Sequence, residues 1–347
     1  IALQDMGHKR LALEAGEHPS LNPIEYILES IKTIYSIQHK NGTIRRVNVN
    51  IAATTVENYR KLKEAGIGTY ILFQETYHKE NYETLHPTGP KSNYAYHTEA
   101  MDRAMEGGID DVGIGVLFGL NTYRYDFVGL LMHTEHLEAK FGVGPHTISV
   151  PRICSADDID AGDFPNAISD EIFSKIVAVI RIAVPYTGMI LTAREDVKFR
   201  HEAINYGVSQ IDAGSDVGVG AYSHEGAAEN SKKRQFELSD NRSLDTIIGE
   251  LCNDGFIPSS CTACYRSGRT GEHFMQMAKP GYIKKFCTAN ALLTLSEYAE
   301  NYASPETRDK CQKLIERELQ DYPDGKMKEI LRDKLAKVRQ GKQDLYF

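Results

Sequence analysis

The sequence predicts an α/β fold: a (βα)8 TIM-type barrel lacking its first unit, with a C-terminal helical appendage. Three observations predict it. Short apolar runs alternate with helical patterns seven times in strict succession. The runs are continuous, as strands buried on both faces of a parallel sheet are. Seven consecutive units favour a barrel over a doubly wound sheet, and no Gly-x-Gly-x-x-Gly separates the first strand from the first helix.

The opening I-A-L-Q-D-M-G reads as the end of a helix stopped at Gly7. It looks like a cut, and the missing barrel unit is expected before it. Arg10–Ala15 is the first strand. Pro23–His39 is the first helix, with Ile24, Ile27, Leu28, Ile31, Ile34 and Tyr35 at helical spacing. Strand Arg46–Ile51 precedes helix Val56–Ala65, strand Thr69–Gln74 precedes helix Tyr94–Met105, and strand Asp111–Val116 precedes helix Tyr125–Phe141. The last three pairs are Thr147–Val150 with Ser169–Val184, Gly188–Leu191 with Arg194–Tyr206, and Val208–Ile211 with Leu244–Cys252. V-G-V-G-A at Val217–Ala221 follows the seventh strand, too late for a dinucleotide fingerprint. The polar loop Ala227–Asn241 is a candidate lid. From Pro258 the rhythm stops, and helices are expected over Asn290–Tyr302, Pro305–Leu319 and Lys326–Gln340. Ser304 and Pro305 make a good cap and first position for the middle one. The expected domains are 1–257, a barrel truncated at its N-terminus, and 258–347, a C-terminal helical domain.

Composition excludes several functions. The 347 residues carry a net charge of −8, which argues against a nucleic-acid surface as the main business. The basic residues after Lys326 read as a solvated helix face. No apolar run approaches the ~20 residues of a membrane span. Six cysteines without a framework of short spacings point to a reducing compartment, the cytoplasm, and to metal ligation.

Three of those cysteines fall between Cys261 and Cys287. C-T-A-C turns two sulfurs to one side of a tight turn, and the third returns across a glycine- and charge-rich segment. Cys261, Cys264 and Cys287 suit a [4Fe–4S] cluster with one iron free of protein sulfur. They equally suit a Cys3His zinc site completed by His273, or plain buried thiols. Polar residues gather at the expected strand ends: Glu17; Asn48 and Asn50; Gln74, Glu75, Tyr77 and His78; Arg152; Thr192 and Arg194; Ser209, Gln210, Asp212 and Ser215. In a barrel that face carries the chemistry, so an enzymatic pocket is expected.

Five strings together resemble one family: G-H-K-R-L-A-L-E-A-G-E, R-R-V-N-V-N-I-A-A-T-T-V-E-N-Y, L-F-Q-E-T-Y-H, G-P-H-T-I-S-V-P-R and C-T-A-C-Y-R-S-G-R-T-G-E-H-F-M. The chain resembles the HydG family of [FeFe]-hydrogenase maturases, radical S-adenosylmethionine (SAM) tyrosine lyases related to the ThiH-like enzymes. The resemblance implies two [4Fe–4S] clusters. One cleaves SAM, and the radical breaks L-tyrosine to p-cresol and dehydroglycine. Dehydroglycine then yields CO and cyanide, captured on an extra iron at the second cluster. The chain departs from the family in having no C-x-x-x-C-x-x-C for the SAM cluster, which is expected to lie before Ile1.

Site residues follow from the resemblance. Gly16 and Glu17 match the element that binds the SAM amino group. Asn50, Glu75 and Arg152 are further SAM candidates. Arg194 is expected to grip the tyrosine carboxylate, with Glu75 and His78 as catalytic candidates. Cys261, Cys264 and Cys287 hold the second cluster, and the extra iron takes a histidine, either His146 before the fifth strand or His136. Implied partners are tyrosine, SAM, the scaffold HydF and the maturase HydE, with no nucleic acid and no membrane. Two competing readings are a zinc-stabilised scaffold without catalysis and a ThiH-like lyase for thiazole synthesis.

Overall fold

The computed structural model describes residues 1–40, 42–155, 160–218, 221–222 and 237–347. Most of the candidate lid, 227–236, therefore lies outside the described residues, as do two residues of Val217–Ala221.

Seven parallel strands pair in chain order: β1 (Arg10–Glu14), β2 (Arg46–Asn50), β3 (Tyr70–Ile71), β4 (Val112–Gly115), β5 (Thr147–Ser149), β6 (Gly188–Leu191) and β7 (Gln210–Ile211). Among the described residues β1 and β7 are the two edges, so the sheet is a curled half-barrel of seven strands. Gln38–His39 and Gly42–Thr43 add a small antiparallel ribbon. Val47, Val49, Val112, Ile114, Ile148, Met189 and Leu191 turn outward and join Ile27, Ile31, Leu62, Leu130, Phe173 and Ile180 of the surrounding helices in one core. The inward layer is small and polar. A Cβ on Gly113 would come within 2.5 Å of Thr147 Oγ1 and 3.0 Å of Ile71, so only glycine fits there.

The outer helices are α1 (Ala2–Asp5), α2 (Ile24–Ser36), α3 (Val56–Glu64), α4 (Lys79–Leu85), α5 (Tyr94–Thr98), α6 (Ala100–Glu106), α7 (Tyr123–Phe141), α8 (Asp170–Ala183) and α9 (Val197–Tyr206). The single helix expected over Tyr94–Met105 is two, because Glu99 leaves the helical track. Arg194 lies ahead of α9, not in it. Asp196 caps that helix by accepting from Phe199 N at 3.0 Å. Then come α10 (Leu244–Asn253), α11 (Ala263–Arg266), α12 (Gly271–Ala278), α13 (Lys284–Asn301), α14 (Pro305–Asp321) and α15 (Lys326–Arg339). The last three build a second core around Leu292, Leu295, Leu314, Ile315, Leu331 and Leu335. Packed into it are Ile248 and Cys252 of α10, a helix the sequence groups with the barrel.

Candidate functional site

In a parallel sheet all strand starts share one end, and the cysteine segment packs against that end. Tyr265 of α11 sits 3.3 Å from Thr69 Oγ1 through its hydroxyl, with the Arg46 guanidinium 4.0 Å over its ring. Thr69 and Arg46 open β3 and β2. Thr270 Oγ1 donates to Asp110 Oδ2 at 2.9 Å, and Gly271 takes φ +56 where a Cβ would strike the Asp110 side chain. Phe274 of α12 lies 4.9 Å from the His146 ring at the start of β5. Burial, with Asp111 nearby, pushes the Tyr265 phenol up to about 12. The appendage thus closes the floor through side chains from four strands.

Cys261, Cys264 and Cys287 are free thiols in this segment. The backbone N–H of Ala263 donates to Cys261 Sγ at 3.4 Å. Burial pushes the Cys261 thiol up, while the charges of Arg10 and Arg266 pull it down. Desolvation of its sulfur, then the neighbouring Cys264 and Cys261, push the Cys287 thiol up to about 11, against Arg269. The three sulfurs therefore feel one another, and three arginines stand around them. That donor set fits an anionic iron–sulfur cluster. Among the described residues, no three His, Cys, Asp or Glu side chains converge tightly enough to hold one ion. A zinc ion with ~2.3 Å bonds needs its sulfurs roughly 4 Å apart. A cube tolerates wider spacing, because each sulfur binds a different iron. His273, the fourth ligand of the Cys3His alternative, is exposed with Nδ1 2.9 Å from Gly268 O.

The two histidine candidates separate. His146 faces Tyr265 and Phe274 at the floor. His136 instead lies on the outer helical layer, its Nε2 2.8 Å from Asp102 Oδ1, and Lys140 shares that carboxylate at 2.7 Å. Its ring is half exposed there, tied to Asp102 of α6. The sequence favours His146, just before the fifth strand, and keeps His136 of the preceding helix as the second candidate.

The opposite end collects the remaining candidates. Glu75 follows β3 with φ +68, a left-handed conformation rare outside glycine, and Lys91 Nζ pairs with its Oε1 at 2.6 Å. Asn50 Nδ2 reaches Glu14 Oε1 at 3.4 Å. Gly16 O accepts from Asn22 Nδ2 at 2.8 Å, and nothing lies within 4 Å of a Cβ built on Gly16. Glu17 beside it is exposed. Arg194 is half-buried, its backbone N donating to Thr192 Oγ1 at 3.4 Å. Two candidates are committed elsewhere. Arg152 grips Glu195 with two parallel bonds of 2.9 and 2.6 Å, reaches Asp170 at 2.7 Å, and stacks near Phe173 and Phe199. Its fork is filled by the protein's own carboxylates. His78 caps α4, its Nδ1 accepting from Asn81 N at 3.3 Å, and packs on Tyr125. Sequence reasoning missed Lys91, Glu195, Tyr265 and Asp111. Only the tyrosine inside the cysteine motif carried a signal.

Fold and site together define a (βα)-barrel protein whose floor is closed by a helical appendage presenting three thiols. Residues 149–257 match the Biotin and Thiamin Synthesis associated domain family. A crystal structure described as HydG, a maturase of the [FeFe]-hydrogenase, superposes with a TM-score of 0.95 at 56% identity, covering 100% of this chain and 75% of that one. The [FeFe]-hydrogenase maturase HydG from Carboxydothermus hydrogenoformans follows at TM-score 0.79 and 39% identity, covering 96% and 72%. The chain belongs to the HydG family. It is also 26% identical over 261 residues to the 2-iminoacetate synthases of Salmonella typhimurium and Escherichia coli, covering 74% of this chain and 65% of each relative.

Proposed function

We propose that this protein is a radical SAM tyrosine lyase, cleaving L-tyrosine to p-cresol and dehydroglycine, and that it forms CO and cyanide on an iron destined for [FeFe]-hydrogenase. One observation carries the reading. Three unpaired thiols lie in a segment whose Phe274 packs on His146 beneath the barrel, in a chain 56% identical to a HydG maturase. The three-cysteine segment favours this over a lyase for thiazole synthesis, which needs no second metal centre.

When bound, the SAM-cleaving cluster supplies an organic radical and the second cluster supplies an open iron corner. The 347 residues contain no C-x-x-x-C-x-x-C, so none is assigned to the first. The chain's own residues do the rest. Glu17 and Gly16 accept the SAM ammonium. Glu75, held in a strained backbone by Lys91, and Asn50 line the same face. Arg194 orients the tyrosine carboxylate. At the floor Cys261, Cys264 and Cys287 would hold the second cluster, and His146 would ligate the extra iron, which is cargo rather than a resident cofactor. The assigned domains are the barrel over 1–257 and the cluster-bearing helices over 258–347. Partners of this reading are the scaffold HydF, which would receive the iron product, and the maturase HydE.

The test uses the intact protein with Cys261→Ser and Cys264→Ser together. Chromatography should find p-cresol formation retained, while infrared spectroscopy should find no iron-bound CO or cyanide. Equal loss of both would contradict two separable centres.

A further inference from the structure

His146 is held by its neighbours in a way that exposes a second residue. Its backbone N donates to Val112 O at 2.8 Å, which locks the starts of β4 and β5 side by side. That places the Asp111 carboxylate against the imidazole, with Oδ1 3.7 Å from Nδ1. The Asp111 side chain is 4% exposed and that of His146 is 17% exposed. Neither Asp111 Oδ2 nor His146 Nδ1 has a hydrogen-bond partner among the described residues. A carboxylate buried without donors costs several kcal/mol unless something compensates. The Tyr265 phenol feels the Asp111 charge, and its hydroxyl is already engaged with Thr69. The Phe274 ring lies 4.9 Å and the Tyr265 ring 6.2 Å from the imidazole. Closing the 3.7 Å gap by about 0.8 Å makes a hydrogen bond.

We propose that Asp111 is the positioning residue for His146. It accepts the Nδ1 proton, fixes the tautomer, and leaves Nε2 as the lone-pair nitrogen aimed at the extra iron. The inference rests on His146 being that iron's ligand. Metal-ligating histidines are commonly held this way, and loss of the outer carboxylate weakens metal affinity about 10- to 100-fold.

The experiment loads ferrous iron onto the anaerobically reconstituted intact protein and its Asp111→Asn, Asp111→Glu and His146→Ala variants. Iron bound beyond the cluster is titrated, and the paramagnetic signature of the iron-augmented cluster is recorded. The expected result is that Asp111→Asn keeps the cluster's iron and sulfide, loses extra-iron affinity about 10- to 100-fold, and loses the augmented signature. Asp111→Glu restores both. Wild-type iron affinity in Asp111→Asn, with His146→Ala unable to load iron, overturns the role of Asp111 alone. Wild-type affinity in His146→Ala overturns the ligand assignment beneath it. Should Asp111→Asn fail to fold, the nitrogen hyperfine coupling of iron-loaded Asp111→Glu decides. A wild-type coupling supports a carboxylate-held ring, and an altered coupling overturns it.

Discussion

Replacing Glu297 with glutamine should loosen the joint between barrel and appendage. Glu297 sits on α13, and its side chain is 4% exposed. It accepts from Arg45, just before β2, and lies 3.6 Å from Lys9 Nζ, just before β1. It also accepts from Asp344 N at 2.9 Å. The two cations are themselves nearly buried, at 7% and 5%. Removing the carboxylate charge leaves both without their main counter-charge, and breaking a buried pair this way costs about 3–5 kcal/mol. Lys9 softens the loss. Burial already pushes its ammonium below the usual range against the pull of Glu297. Arg45 stays charged and retains Asp344 alone at 3.1 Å. At roughly 2 °C per kcal/mol for a protein of this size, Tm should fall by about 6–10 °C. The assay is an anaerobic melt followed by circular dichroism, comparing Glu297→Gln with wild type. A fall of less than about 2 °C would refute the claim that this carboxylate holds the two cores together.

Three further outcomes are expected. Gly113→Ala forces a methyl between Thr147 and Ile71 and should cost about 1–3 kcal/mol, read as a lowered denaturation midpoint. Burial pushes the His133 imidazole down to about 4 from 6.5, so stability present above pH 6.5 should drain as pH falls toward 4, a slope that His133→Gln flattens in urea titrations. Asp240 resists burial through the Arg242 and Arg200 contacts, which hold its carboxyl at about 2. Its contribution is present above pH 3.8 and lost as pH falls toward 2, and Asp240→Asn should remove that step from an acid titration.

The half-barrel was legible because each buried strand writes itself as a short apolar run. In the fold Val47, Val49, Val112 and Ile114 all join the helices in one core, a facing that continuous apolar runs do not announce. Boundaries failed where side chains override local pattern. Asp196 caps α9, which starts three residues after the expected position, and Glu99 breaks a periodic run in two. The short α11 and α12 inside the cysteine stretch show no hydrophobic period, because Ala263–Arg266 is one turn and Gly271 enters at a positive φ. At the site, residue type identified candidates but not their partners. Arg152 and Arg194 look alike in the sequence, and only the fold reveals that Glu195 fills the fork of the first. Asp111 and His146 are 35 residues apart and became neighbours only when β4 paired with β5.

The most direct test of the account is iron and sulfide analysis of anaerobically reconstituted protein alongside a Cys261→Ser, Cys264→Ser, Cys287→Ser variant. The account predicts about four irons and four sulfides bound per chain at this centre and lost together in the variant. One tightly held zinc with no iron, or iron content unchanged by the three substitutions, would contradict it.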